Sequence, residues 1–320
     1  MIARRLRVGT RGSRLSLRQT QLVVDALTQV HPAVTVETVI VKTAGDRAPD
    51  VPLERFDGVG FFAKELEAAL AEGRCDLAVH SAKDLPTELH PALVLGAVLR
   101  RTEPRDVLIS RSGAGLADLP AGARIATSSP RRTAQILAYR PDLVLVPIRG
   151  NVDTRLTKMA RGECDAICLA GAGLVRLGWQ DRITEWLPPE VMLPAPAQGA
   201  LAVETRRDDG ALRGLLAVLD DADTHEAITA ERAFLARLET GCRAPAGALA
   251  RVRDGRIALE GLIAREDGSA VRRHIASGPV GAAQWLGTAV ADQLLAGAAG
   301  VLNARADGES AVLSGPGRVP

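Results

Sequence analysis

This 320-residue chain is poor in aromatic side chains, in lysine and in long apolar runs. Phe, Trp and Tyr together make up 2% of it, and the net charge is only +2. Binding of nucleic acid needs stacking platforms and a basic surface, and neither is supplied here, so no nucleic-acid partner is expected. No stretch approaches the roughly 18 apolar residues of a membrane span. Residues 1–8 carry charge but no apolar segment of signal-peptide length. The expectation is a cytoplasmic monomer with no membrane contact. Its four cysteines, Cys75, Cys164, Cys168 and Cys242, are then expected to be reduced. Cys164 and Cys168 are four apart with no His nearby, which is not a zinc-ligand pattern, and no metal is expected. A Gly-Lys-Ser/Thr phosphate loop is also missing, which argues against nucleotide phosphates.

What the chain does have is arginine. Lys42, Lys64, Lys83 and Lys158 are the only lysines, which leaves 36 of the 40 cationic side chains as Arg. A length of 320 residues suggests two or three domains. Strand patterns at 6–9, 34–41, 77–79 and 93–99 alternate with a helix from Ser13 to about residue 30 and another at 63–72. Such alternation predicts a mainly parallel sheet. Residues 42–60 have no period and read as a long functional loop. Residues 100–105 break the rhythm and read as a hinge. It restarts with strands at 107–109, 124–126, 143–147 and 166–169. After the prolines at 188–189 and 194–196, a strand at 201–204 reads as a return to the first sheet. From about residue 223 the pattern changes to a helix at 224–238, strands at 247–252, 256–264 and 270–276, and a last helix at 282–298. Asp254-Gly255 and Asp267-Gly268 between those strands are hairpin signals. The fold class is therefore two doubly wound α/β lobes, like those of periplasmic binding proteins, plus a small α+β unit with a three-stranded antiparallel sheet. The domains read as 1–99 with 197–220, then 104–193, then 222–320.

In open α/β sheets ligands sit at the carboxyl ends of strands. Four such ends carry polar clusters. They are Arg11-Gly12-Ser13, then Lys83-Asp84, then Thr127 through Arg132, then Arg149-Gly150-Asn151 with Arg155 a turn later. In the third cluster, Ser129 suits a helix N-cap and Pro130 the first helical position. Backbone N–H groups and the helix dipole then face an anion, and Arg131 and Arg132 add bidentate donors. Asn151 repeats the capping pattern in the fourth. Arg outperforms Lys where planar carboxylates are gripped. Any one of these cations would more often be a solvated surface charge. Several at one edge point to a cleft for a ligand with several carboxylates. Cys242 lies between Gly241 and Arg243, an electropositive setting that favours thiolate.

The order of these motifs resembles the porphobilinogen deaminase (hydroxymethylbilane synthase) family. The segments that carry the resemblance are Val8 through Ser13, Val79 through Asp84, Thr127 through Arg132, Arg149 through Arg155, Gln198-Gly199 and Gly241-Cys242. It covers about residue 4 to about residue 300 of this sequence. It implies a transferase of tetrapyrrole and haem biosynthesis. Such an enzyme joins four porphobilinogen units head to tail with loss of ammonia on a covalent dipyrromethane primer, then releases hydroxymethylbilane by hydrolysis. The resemblance implies that Cys242 holds the primer by a thioether and that Asp84 is the catalytic carboxylate, stabilising the cationic azafulvene. Lys83, Thr127, Ser129, Arg131, Arg132 and Arg155 would hold the primer's carboxylates. Arg11, Ser13, Arg149, Arg155 and Arg176 would hold incoming substrate, with Gln19 and Gln198 lining the cleft. Gly58-Val59-Gly60 departs from the family's frequent Gly-Lys-Gly. The competing reading is a two-lobed, non-enzymatic organic-anion binding protein, which would share the hinge and the Arg-lined cleft. The Cys242 loop counts against it.

Overall fold

The computed structural model describes residues 4–42, 63–239 and 245–297. The expected loop at 42–60 lies almost wholly outside them, and the tail beyond 297 does so entirely. Three sheets are formed. The first contains β1 (Arg4–Thr10), β2 (Val34–Ile40), β3 (Leu77–Ser81), β4 (Leu93–Leu99) and β10 (Leu201–Arg206), in the order β2-β1-β3-β10-β4. The second contains β5 (Asp106–Ser110), β6 (Arg124–Ala126), β7 (Val144–Val146), β8 (Ala166–Ala170) and β9 (Glu185–Trp186), in the order β7-β6-β8-β5-β9. The helices around them are α1 (Arg14–Val30), α2 (Lys64–Ala71), α3 (Pro130–Tyr139), α4 (Val152–Ala160), α5 (Gly171–Leu177) and α6 (Gly210–Leu216).

As expected, each sheet is mainly parallel: four of its five strands run the same way, and one strand, β10 in the first sheet and β5 in the second, runs against them. In each sheet two joins are parallel and two antiparallel. The physical reason is the double crossing between lobes. After β4 the chain crosses over and enters the second sheet as β5; it returns as β10. A strand arriving from the other lobe starts at the edge where the parallel strands end. It must therefore run against them, and both β5 and β10 do.

Local chemistry explains the elements that position the cleft. Ser13 caps α1 by accepting from the Ser16 N–H at 3.2 Å. Gln19, Thr20, Val23 and Leu27 recur at helical spacing and are the buried face of α1. Leu6, Val8, Leu77 and Val203 lie beneath it in one core cluster. Leu108, Ile125, Ile136 and Cys168 fill the second lobe.

The third sheet is the expected meander, β11 (Ala246–Arg253), β12 (Arg256–Ala264) and β13 (Val271–Pro279). Asp254 and Gly255, at φ of 51° and 70°, make the tight two-residue turn that their identities indicate. Long helices α7 (Ala222–Glu239) and α8 (Ala283–Ala296) pack on this sheet around fully buried Phe234, Leu259 and Val290. Strand β9 was not legible in the sequence. Two residues are too short to show any period.

Candidate active site

A cleft of about 280 Å³ opens between the lobes. β1 ends at Thr10, and the turn that follows puts Arg11 and Ser13 on its wall. β3 ends at Ser81, and one tight turn, Ala82–Asp84, carries Lys83 and Asp84 into it. Gln19, only 4% exposed, lines the same wall and donates to Ser81 Oγ at 2.8 Å. The second lobe contributes Arg132 from the start of α3, Gly150 through Asp153 and Arg155 at the start of α4, and Arg176 from α5. Gln198, on the return crossing, completes the wall.

Ser129 and Asn151 take the N-cap positions of α3 and α4, and Pro130 opens α3 as expected. Neither cap side chain bonds to its helix, however. The Thr127 Oγ1 accepts from the Ser129 N–H instead, at 3.2 Å. Thr127, Ser129, Arg131 and Arg149 lie outside the lining of this cleft. Arg131 is 6% exposed, and its Nη1 donates to the Leu193 carbonyl at 2.6 Å. Cys242 and the rest of 240–244 lie outside the described residues.

The adjacent Lys83 and Asp84 do not pair. Lys83 Nζ donates to Gln198 Oε1 at 3.2 Å. The half-buried Asp84 carboxylate takes no hydrogen bond or ion pair among the described residues. It therefore stands as a partnerless acid in a wall of cations. Burial pulls the Lys83 ammonium down to about 8; Asp84 resists this and Arg132 adds to it. Burial, with Arg132 and Arg149 nearby, brings Arg155 down to about 10. Arg176 also falls to about 10 through burial, opposed by Asp84. Both stay cationic at neutral pH. Arg155 is aimed by its Nε bond to the Gly150 carbonyl at 2.8 Å. Gly150 has φ of +105°, a conformation that favours glycine, and a Cβ there would fall 2.7 Å from Thr154 Cγ2. The Nε of Arg176 is buried without a hydrogen-bond partner among the described residues.

One central residue was missed by reading the sequence. Asp106, fully buried at the first position of β5, meets Arg131, Arg132 and Gln198. Burial opposes its charge, but Arg131 and Arg132 outweigh that and hold its carboxyl well below the usual range. The available signal was an acid heading an otherwise apolar buried strand in a chain crowded with Arg.

Fold and site together define a two-lobed protein built to hold an organic ligand with several carboxylates around one acid that is unpaired among the described residues. Comparison with known proteins takes this to a family. The model described as porphobilinogen deaminase, dipyromethane cofactor binding domain, matches residues 6–214. The model for the C-terminal domain of porphobilinogen deaminase matches residues 225–296. A protein named porphobilinogen deaminase from Desulforudis audaxviator is 50% identical over 298 residues, 93% of this chain and 96% of that one. Another of that name, from a Roseiflexus species, is 51% identical over 291 residues, 90% of this chain and 95% of its own. Among solved structures, the periplasmic VFT2 domain of Bordetella pertussis BvgS aligns over 66% of this chain and 85% of its own, at 20% identity and a TM-score of 0.39. That likeness is too remote to bear on the site. The chain belongs to the porphobilinogen deaminase family.

Proposed function

We propose that this protein is a hydroxymethylbilane synthase, a transferase that condenses four porphobilinogen molecules with release of ammonia. The observation that carries this reading is Asp84, a carboxylate with no hydrogen bond or ion pair among the described residues, inside a cleft of guanidiniums and one ammonium. The cleft suits the dipyrromethane group. Each pyrrole unit brings two carboxylates, and the buried, unpartnered Nε of Arg176 is a donor in want of an acceptor. When bound, that group would supply the nucleophilic pyrrole end on which the product grows. Lys83, Arg132 and Arg155 are assigned to its carboxylates, with Thr127, Ser129 and Arg131 shaping the same helix end. Arg11, Ser13, Arg155 and Arg176 are assigned to porphobilinogen, with Gln19 and Gln198 between them and Arg149 beside the lining at the start of α4.

The Asp84 carboxylate would lie against the pyrrole N–H of bound substrate. As ammonia leaves, the substrate becomes cationic, and a fixed anion stabilises that charge as it forms. The same carboxylate can take up the proton that the attacking pyrrole ring sheds and pass it to the next departing amine. Arginine side chains hold the acetate and propionate arms at the walls, so the reacting carbon meets Asp84 in a fixed orientation.

Attachment is assigned to Cys242. The three described cysteines are buried and free. Burial pushes Cys75 up to about 11 and Cys168 up to about 12, and it raises Cys164 as well. None of the three is a thiolate near neutrality, which favours the Gly-flanked Cys242. The three-part division at 99/104, 193/197 and 220/222 belongs to the same proposal, supported by the membership of the three sheets. So do a cytoplasmic setting and a monomeric state; no helix among the described residues is long and apolar enough to cross a membrane. The test is intact-mass spectrometry with porphobilinogen-dependent ammonia release. The expected result is a chain heavier than its sequence by two linked pyrrole units that liberates ammonia. An unmodified chain that binds the ligand and releases none would instead mark a non-enzymatic binding protein.

A further inference from the structure

We propose that Asp106 is a positioning residue for the reaction, one carboxylate that sets the direction of the anion-gripping cations on both lobes. This rests on the reading of the cleft given above. Asp106 stands where the chain enters the second lobe and is fully buried. The Nε and Nη2 of Arg132 both donate to its Oδ1, at 3.0 and 2.7 Å. The Nη1 of Arg132 donates to the Cys168 carbonyl at 3.1 Å. Three contacts on one planar guanidinium leave it no rotational freedom. Arg131 Nη1 meets the other oxygen, Oδ2, in an ion pair at 2.8 Å.

The reach of Asp106 extends across the cleft. The Gln198 Nε2 donates to Asp106 Oδ1 at 3.0 Å and to the Pro104 carbonyl at 2.8 Å. With both amide hydrogens committed to acceptors, the amide oxygen has to face the other way. It faces Lys83, whose Nζ donates to it at 3.2 Å. Lys83 belongs to the first lobe, and Arg131 and Arg132 belong to the second. A single buried anion thus orients cations from both. A buried ion pair gives little net stability over an apolar replacement of equal volume. What it does supply is fixed geometry, and ligand carboxylates held by Lys83 and Arg132 need that geometry.

The test compares Asp106→Asn and Asp106→Glu with the parent enzyme. It reads primed fraction by intact mass, single-turnover ammonia release from primed chains against porphobilinogen concentration and pH, and melting temperature. Asp106→Asn is expected to lower the primed fraction and, in chains that are primed, to raise KM on the order of tenfold. It should also move the alkaline limb of the rate to lower pH. Lys83 would lose one of its two neighbouring anions, keep Asp84, and still face Arg131 and Arg132. Asp106→Glu keeps the charge but displaces both guanidiniums, so KM should rise with the alkaline limb unmoved. If Asp106→Asn does not fold, Asp106→Glu alone decides. An unchanged primed fraction and an unchanged KM in whichever variant folds, with only the melting temperature lowered, overturn the proposal. A parent enzyme that carries no pyrrole mass and releases no ammonia overturns the functional reading instead.

Discussion

Asp84 and Lys83 are sequence neighbours whose chemistry diverges because of what surrounds each one. Asp84 has no partner among the described residues, so its charge is available to the ligand. Asp84→Glu keeps that charge but moves it by one methylene, and a misplacement near 1 Å can cost about 100-fold in rate. Asp84→Asn keeps the shape and loses both charge and basicity. We expect Asn to be far slower than Glu in single-turnover ammonia release, with porphobilinogen still bound by both. Near-parental release by Asp84→Asn would remove Asp84 from the mechanism. No ion pair to Lys83 is lost in either variant, so melting temperatures should stay close to the parent's. Lys83 carries a pH prediction. Its ammonium titrates at about 8, so the cleft loses a cation as pH rises through that value. The rate of ammonia release by primed chains should fall above that point, because Lys83 holds the primer's carboxylates and so places the end that substrate meets. A rate that stays flat to pH 10 would show that the ammonium does not grip the primer. The stability sign is separate. A folded-state value below that of the unfolded lysine means the unfolded chain binds more protons between the two, so Lys83 favours folding more as pH rises across that window.

At the scale of elements, one tightly constrained contact is where α7 meets α8. Gly287 on α8 crosses α7 so closely that a Cβ would meet the Ala230 carbonyl oxygen and come within 2.8 Å of Ala233 Cβ. Gly287→Ala sets two effects against each other. Helix propensity alone would favour Ala by about 1 kcal/mol. Overpacking against a backbone oxygen costs about 1–3 kcal/mol or more, because a carbonyl in a helix cannot step aside. The clash should win, and denaturant unfolding should show a net loss of stability. A gain would mean the helices separate freely. This crossing was not visible in the sequence. A glycine inside a helical pattern reads only as a weak point until the neighbouring helix is in place. The hairpin turn at Asp254-Gly255, in contrast, was legible, since its geometry is decided by two adjacent residues.

At the scale of the whole molecule, two kinds of contact join the parts, and their strengths differ. Glu231, fully buried on α7, accepts from Arg101 at 2.6 and 3.0 Å, from the Ala197 N–H at 2.6 Å and from the Ala250 N–H at 2.7 Å. It ties both crossings to the third sheet. Between the lobes, Arg14 of α1 sits 4.9 Å over the ring of Trp179, with Arg182 at 5.0 Å. Such stacking contributes about 0.5–1 kcal/mol at an exposed site. That is too little to lock the lobes shut against a lengthening product. The primer prediction belongs here as well. Cys242→Ser should give a folded chain without pyrrole mass and with little activity, while Cys75→Ser, Cys164→Ser and Cys168→Ser keep the adduct. An adduct mapped by peptide mass to any of those three would refute the assignment. Because the primer binds only the folded chain, the Cys242→Ser protein should also melt lower than the primed enzyme.

The division between what could be read and what could not follows the range of the interactions. Most strand and helix positions (β9 excepted), the Ser13 cap, the Asp-Gly turn and the polar strand ends were determined by the sequence, because each depends on residues a few positions apart. So was the anionic nature of the ligand, since arginines at successive strand ends share one edge in any α/β sheet. The antiparallel entry of β5 and β10 depended on the lobes being crossed twice, and only the tertiary structure could show it. The partners of the cations were decided there too. Arg131 faces Asp106 and Leu193, and Lys83 faces Gln198, through contacts that span 25 to 115 positions of chain. Local propensity is blind at that range. A buried charge takes whichever opposite charge the packing of two lobes brings within about 3 Å, and no pattern along the chain encodes that choice.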